Sequence, residues 1–350
     1  MAYTTITDPS VYFHTQLYTG TGSARSVTND GNANLQPDWL WIKRRSATNA
    51  SMIVNSSLGL SGNIAVASNL NLAAYATPVS ALNSDGFSVN AGDASVNANG
   101  STYVAWQWKV NGGTTVTNND GSHASSVQVN TTAGFSIVTY TGTGSSVTLG
   151  HGLGAAPEII FNKGLSDNHA WIVGATPDSS NLSKVMILNN TDASASDANS
   201  FSNTAPTSSV YTIGTAGGVN NNGQNYISYL FRSIQGYSKI GTYTGNGSAD
   251  GTFVYTGFKP AYILIKCTNA AKNWYIFDNK RPTYNVDNIL ITANTDAAEV
   301  VGSEKIDFLS NGFKLRQDFS HTNASGSTYL YMAFASNPFV ATNGVPTTAR

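Results

Sequence analysis

Tyr18-Thr19-Gly20-Thr21-Gly22-Ser23 returns in this 350-residue chain as Tyr140-Thr141-Gly142-Thr143-Gly144-Ser145 and again as Tyr243-Thr244-Gly245-Asn246-Gly247-Ser248. Self-similarity of this kind is weighed before any other signal, because it decides the architecture. Two further landmarks travel with each copy. A proline precedes a lysine by six positions across a mainly apolar stretch: Pro37 to Lys43, Pro157 to Lys163 and Pro260 to Lys266. Gly100-x-x-Tyr103, Gly223-x-x-Tyr226 and Gly326-x-x-Tyr329 then close each copy. From the first copy to the second the landmarks advance 122, 120 and 123 residues, and from the second to the third all three advance 103. That agreement predicts a threefold duplication.

Inside a unit the hydrophobic period is two, the period of strands. Val104, Trp106 and Trp108 match Ile227, Tyr229 and Phe231, then Leu330, Met332 and Phe334, so one face of each closing strand is bulky and apolar. The Pro-to-Lys stretches, such as Trp39-Leu40-Trp41-Ile42 and Tyr262-Ile263-Leu264-Ile265, are apolar on both faces and read as central strands. Proline at the start suits a position where a missing N–H does no harm, and the closing lysine is expected to reach water. Asp85-Gly86, Asn99-Gly100, Asp120-Gly121 and Asn311-Gly312 supply the positive-φ residues of tight hairpins. Amphipathic helical runs are scarce. The reading is all-β, three tandem antiparallel β-sandwich repeats, each with about six to eight strands. Boundaries fall at 1–112, 135–237 and 238–340, with a Gly/Asn/Thr/Ser-rich connector at 113–134 and a tail at 341–350.

Only 11% of residues are charged and the net charge is -1, so neutral amides and hydroxyls must keep the surface wet. Nucleic-acid binding, which needs concentrated basic surface, is not expected, nor is a polybasic membrane anchor. No apolar run is long enough for a membrane-spanning helix, so no membrane insertion is expected. The first sixteen residues have neither a basic opening nor an apolar core, so a secretory signal is not expected. The lone Cys267 excludes an internal disulfide, and His14, His123, His151, His169 and His321 lack metal-site spacing. Each is read as a surface or turn residue. No metal or cofactor is expected.

Chemistry-bearing motifs are few. No nucleophile elbow is present, and Gly144-Ser145 lies inside the repeated turn. The Thr-Gly-x-Gly-Ser segments lack the Lys-Ser/Thr and the helix that complete a phosphate loop. Asp250, Asp278, Asp287, Asp307 and Glu304 gather in the third unit and could in principle supply a glycosidase pair, although acidic loop residues mostly cap turns. No catalytic residue is assigned. Trp171 and Trp274 each lie eight residues past the repeat lysine, where the first unit has Ser51. That difference makes them the candidate glycan contacts, since rings left on loops stack against sugar faces; packing beneath a loop is the competing role.

The opening Ala2-Tyr3-Thr4-Thr5-Ile6-Thr7-Asp8-Pro9-Ser10, the stretch Gly134-Phe135-Ser136-Ile137-Val138-Thr139-Tyr140-Thr141-Gly142, then Gly150-His151-Gly152-Leu153-Gly154-Ala155-Ala156-Pro157 and Ser310-Asn311-Gly312-Phe313-Lys314-Leu315-Arg316 carry a resemblance. With them the chain resembles tail-fibre-like and other virion structural proteins of tailed bacteriophages, particularly marine and cyanophage ones. The resemblance implies a non-enzymatic structural protein, made in host cytoplasm and carried on the virion, that presents a host- or glycan-contacting surface. Its implied partners are other virion proteins, further copies of itself as a homo-oligomer such as a trimer, and a host surface glycan. A capsid decoration protein, and a carbohydrate-binding module or polysaccharide-degrading enzyme, are the rival readings. The absence of heptads or a shaft-like repeat weakens the fibre assignment.

Overall fold

The computed structural model describes residues 3–66, 68, 77–282, 284–340 and 344–347; side chains of 61–63 and 303–304 are outside the described residues. The chain is nearly all β, as the period of two requires. Its first sheet orders the opening strand Phe13–Thr19, the closing strand Thr102–Trp108, the Pro-to-Lys strand Trp39–Arg44, then Met52–Asn55 and Gly59–Ala65. The second sheet contains the same run: Phe135–Thr141, Asn225–Phe231, Ile159–Gly164, Ile172–Ala175 and Lys184–Ile187. So does the third: Ser238–Thr244, Thr328–Pro338, Phe258–Cys267, Trp274–Asp278 and Asp287–Thr292. Register matches as well as order. Trp39, Trp41 and Lys43 pair with Trp108, Trp106 and Val104; Ile159, Phe161 and Lys163 with Phe231, Tyr229 and Ile227; Tyr262, Leu264 and Lys266 with Phe334, Met332 and Leu330.

Because side chains alternate across a strand, this register sends one set of residues to each face. The set containing Trp39, Trp41, Trp106 and Trp108 enters a single buried cluster together with Phe161, Tyr229 and Phe231 of the second unit and Tyr262, Leu264 and Phe334 of the third. The three inner faces therefore enclose one shared core. Its rings interlock across units: Trp39 stacks on Tyr229 at 5.0 Å, Trp108 meets Tyr262 edge-on at 5.4 Å, and Phe231 meets Phe334 at 5.8 Å. The opposite faces serve private cores. In the first unit Leu40, Ile42 and Tyr103 pack under a second layer, Arg25–Val27, Phe87–Val89 and Val79–Leu82, that contributes Val27, Phe87 and Val89. In the second, Val147–Gly150 and Val210–Ile213 supply Leu149, Tyr211 and Ile213. In the third, Phe253–Tyr255, Gly312–Leu315 and Val300–Leu309 continue the same sheet, which curls over Ile263 and Ile265 into a nearly closed barrel.

Two expectations change. Residues 113–134, read as a connector, carry the strands Val116–Asn118 and Ser125–Asn130, which extend the second sheet beyond its opening strand. Thr, Ser and Asn there lie on a sheet edge, which tolerates the polar composition of a linker. The lysines closing the Pro-to-Lys strands do not reach water: Lys43, Lys163 and Lys266 are fully buried. Of the tail, 341–343 and 348–350 lie outside the described residues, while Thr347 N–H donates to Phe339 O at 2.9 Å.

Candidate functional site

The repeated Gly-rich turn is built around a buried asparagine. Asn97 accepts from Thr21 N–H at 3.0 Å and donates to Ser23 O at 2.7 Å and Asn90 O at 2.9 Å. Asn220 does the same with Thr143 N–H, Ser145 O and Gly214 O, and Asn323 with Asn246 N–H, Ser248 O and Gln317 O. The first glycine of the turn lets two backbones touch: a Cβ on Gly20 would stand 2.3 Å from Ala98 O. The second takes φ +73 at Gly22, a conformation that costs other residues strain. Gly20 and Gly22 N–H donate to Ser101 O and Asn97 O. A turn whose N–H groups already serve protein acceptors does not cradle an anion.

Two of the three buried lysines, Lys43 and Lys266, clasp carbonyls across a seam, and Lys163 bonds within its own unit. Lys43 Nζ donates to Asn49 O at 2.9 Å in its own unit and to Thr295 O of the third unit at 2.7 Å. Lys266 Nζ donates to Lys272 O at 2.5 Å and to Thr191 O of the second unit at 2.8 Å. Lys163 Nζ donates to His169 O. Burial lowers all three ammonium groups to about 8, because desolvation disfavours charge.

Trp171 and Trp274 are not glycan contacts. They are 0% and 1% exposed, inside the shared core, and their indole N–H groups donate to Ala65 O and Ile187 O of the preceding unit at 3.2 and 2.9 Å. Sugar cannot reach either ring. Four of the five third-unit carboxylates are held by partners within the fold. Asp278 is buried, accepting from Arg281 Nε at 2.6 Å and from Trp106 Nε1 of the first unit at 3.0 Å, and Asp287 Oδ1 caps Ile289 N–H. Asp250 pairs with Lys314 at 2.5 Å and Asp307 with Arg316 at 3.3 Å, while the side chain of Glu304 lies outside the described residues. Arg45 forks onto Glu299 at 2.8 Å through both contacts, a further bond between the first and third units.

Of the histidines read as surface or turn residues, His14 is buried on the opening strand, and His151 lies in a loop but is buried there. His14 Nε2 lies 3.0 Å from Asp30 Oδ1 and 3.2 Å from Gln16 Oε1, both acceptors, so this nitrogen carries the proton. His151 Nδ1 accepts from Leu153 N–H at 3.1 Å. Burial holds both rings below their ordinary value. Among the described residues no group of three or more His, Cys, Asp or Glu is placed to hold a metal.

Three cavities formed by described residues could receive a ligand by position. A cleft of about 160 Å³ contains His14, Asp30 and Lys280 at the seam of the first and third units, with Lys280 Nζ 2.8 Å from Asp30. It is smaller than the ~300 Å³ at which ligand sites begin. A groove of about 650 Å³ is lined by Leu58, His123, Ser126, Thr139, Thr141 and Asn225, and offers hydroxyls and an amide for hydrogen bonding. The third, about 320 Å³, lies between Tyr3, Gln235, Lys239 and Tyr255, where Tyr3 Oη is 3.2 Å from Tyr255 Oη and Lys239 Nζ stands 5.7 Å from the Tyr255 ring centre. Tyr255, which lines it, and Phe253 two residues earlier on the same strand are 48% and 45% exposed. Reading the sequence missed these two rings; the signal was present, because the corresponding positions of the first unit are Ser26 and Thr28.

A family model described as "Domain of unknown function (DUF7483)" matches residues 8–338, and the chain belongs to that family. No curated protein matches it.

Proposed function

We propose that this member of the DUF7483 family is a non-enzymatic structural protein of a tailed-phage virion, a tail-fibre-like or surface-appendage component that turns a contact face outward. The observation that carries the reading is where the chain spends its buried charge. Buried Lys43, Lys266 and Asp278 each bond across a seam between units, and the partly buried Arg45 joins them there. Groups that an enzyme would aim at substrate are here used to join sheets, and unpaired burial of any of them would be costly. A block sealed by a common core and cross-seam bonds suits a load-bearing part. Low charge keeps its surface contacts insensitive to salt.

Imaging of phage particles labelled with an antibody to the chain tests this. Label on the tail or an appendage is expected. Label over the whole head would replace the appendage by a capsid decoration protein, and particles free of label would overturn the virion reading. Release of reducing ends from host envelope glycans by the purified protein would overturn the non-enzymatic part.

A further inference from the structure

Phe253 and Tyr255 alternate on a three-residue strand, so both rings project from the outer face of the third unit. Their exposure is exceptional. Of 6 Trp, 17 Tyr and 14 Phe, only these two and Tyr284 are exposed among the described residues.

The sibling units provide an internal control. Arg25–Val27 pairs with Phe87–Val89 so that Val27 and Phe87 face inward, as Val254 and Phe313 do in the third unit and Leu149 and Tyr211 in the second. In that register the outward cross-strand pair is Ser26 with Ser88 in the first unit, Thr148 with Thr212 in the second, and Phe253 with Lys314 in the third. The next outward position is Thr28, Gly150 and Tyr255. Small polar residues satisfy the fold at both places in two units of three. The rings are therefore not required by packing, and exposing them to water brings no stability.

We propose that Phe253 and Tyr255 form a stacking platform for a pyranose oligosaccharide, with the adjoining cavity of Tyr3, Gln235 and Lys239 receiving its hydroxyls. The chemistry matches on both sides. A pyranose ring has an apolar C–H face that covers an aromatic ring and a hydroxyl rim that needs donors and acceptors. The site combines two exposed rings, of which Tyr255 lines the cavity, with the phenol of Tyr3, an amide and an ammonium in that cavity, the mixture typical of small-ligand sites. A nucleobase would stack equally well, but the near-neutral chain lacks the basic surface that a phosphate backbone demands. A second copy of the chain is a poor occupant on area. Half-exposed Phe and Tyr together offer about 200 Å², against ~800 Å² per partner in a stable complex.

This inference rests on the contact-surface reading of the protein. The test is titration of the full chain with hexasaccharides of β-linked glucose, N-acetylglucosamine, mannose and galacturonate, followed by ligand-observed NMR and calorimetry, alongside Phe253→Ser and Tyr255→Thr. These substitutions install sibling-unit residues and are expected to leave the melting temperature within a few degrees of wild type. At least one hexasaccharide should bind, and each variant should weaken it tenfold or more. Binding by none of the four, or binding unchanged in both variants, overturns the platform. Concentration-dependent self-association abolished by Phe253→Ser would assign the rings to a second copy and also overturn it. Unlabelled virions with saccharide binding intact would remove the virion reading alone, and labelled virions without binding would remove the platform alone.

Discussion

Truncating the turn asparagines tests both the turn and the equivalence of the three units. Asn323→Ala removes the donor to Ser248 O and Gln317 O, at 2.9 and 3.0 Å, and the acceptor for Asn246 N–H at 3.0 Å. The asparagine is 0% exposed, so water does not replace these bonds without rearrangement. A buried group left unsatisfied costs ~1–3 kcal/mol. Three such groups, partly relieved by relaxation of a surface turn, give a loss of about 3–5 kcal/mol. Asn97→Ala and Asn220→Ala break the same set of bonds and should fall in the same range. Equilibrium unfolding in urea, monitored by tryptophan fluorescence, reads the loss, with Ser26→Ala on the exposed face as a control expected within ~0.5 kcal/mol. A loss below 1 kcal/mol at any of the three sites would refute the account of the turn. A large loss at one site with none at the others would refute the equivalence.

The shared core predicts one calorimetric unfolding transition for the full chain, and residues 1–112 alone should fail to fold because Trp39, Trp41, Trp106 and Trp108 lose their cover; three resolved transitions would count against it. Stability should rise from pH 8 toward 10, since the unfolded lysines still bind protons that Lys43, Lys163 and Lys266, lowered to about 8, have released. It should fall again above 10, because Tyr18, Tyr140 and Tyr243 are raised by burial and hold protons that the unfolded chain gives up. On the acid side, His14 and His151 are lowered, so stability is lost as pH drops below 6.5; a flat urea midpoint from pH 5 to 11 would contradict all three signs. Trp274→Phe leaves Ile187 O without its 2.9 Å donor and should cost about 2–3 kcal/mol while leaving any saccharide affinity unchanged; a tenfold weaker affinity would return that ring to the binding surface.

Strand faces and the central place of the Pro-to-Lys strands were legible because a period of two and three matched landmarks constrain them locally. Trp106 and Trp108 could be assigned to a core face from alternation alone. What alternation does not encode is the partner across that face. Three independent sandwiches and three sheets around one core give the same pattern along each strand, so the shared interior was not readable. The same gap explains Trp171, Trp274 and the lysines. A tryptophan on a segment that the first unit builds with Ser51 looks dispensable, yet it fills space and bonds to Ala65 O in a neighbouring unit. A lysine at a strand terminus normally snorkels to water. Here the terminus abuts a seam whose free carbonyls, Thr295 O and Thr191 O, substitute for water. Phe253 and Tyr255 went unnoticed because their positions acquire meaning only when the sibling strands are superposed in register.

Joining three sibling units in one chain removes a constraint that a ring of three identical chains would obey. Identical chains must solve every seam with the same residues, whereas here the seams differ. The first and second units meet through Asn55 with Tyr229 at 3.0 Å and Ser56 with Gln128. The second and third meet through Ser194 N–H with Thr268 O, beside an indole bond, Trp274 to Ile187 O, that repeats the bond of Trp171 to Ala65 O at the first seam. The third and first meet through Arg45 with Glu299 and Trp106 with Asp278. The inner layer differs likewise, with Trp106, Tyr229 and Met332 at one register position. Divergence inside is held in check by volume, since a larger residue from one unit demands a smaller one from another. Divergence outside has no such check. A ring that replaces serine on a solvent face gains nothing from the core, so its presence on one unit and not its siblings is most simply accounted for by something that the outer face touches.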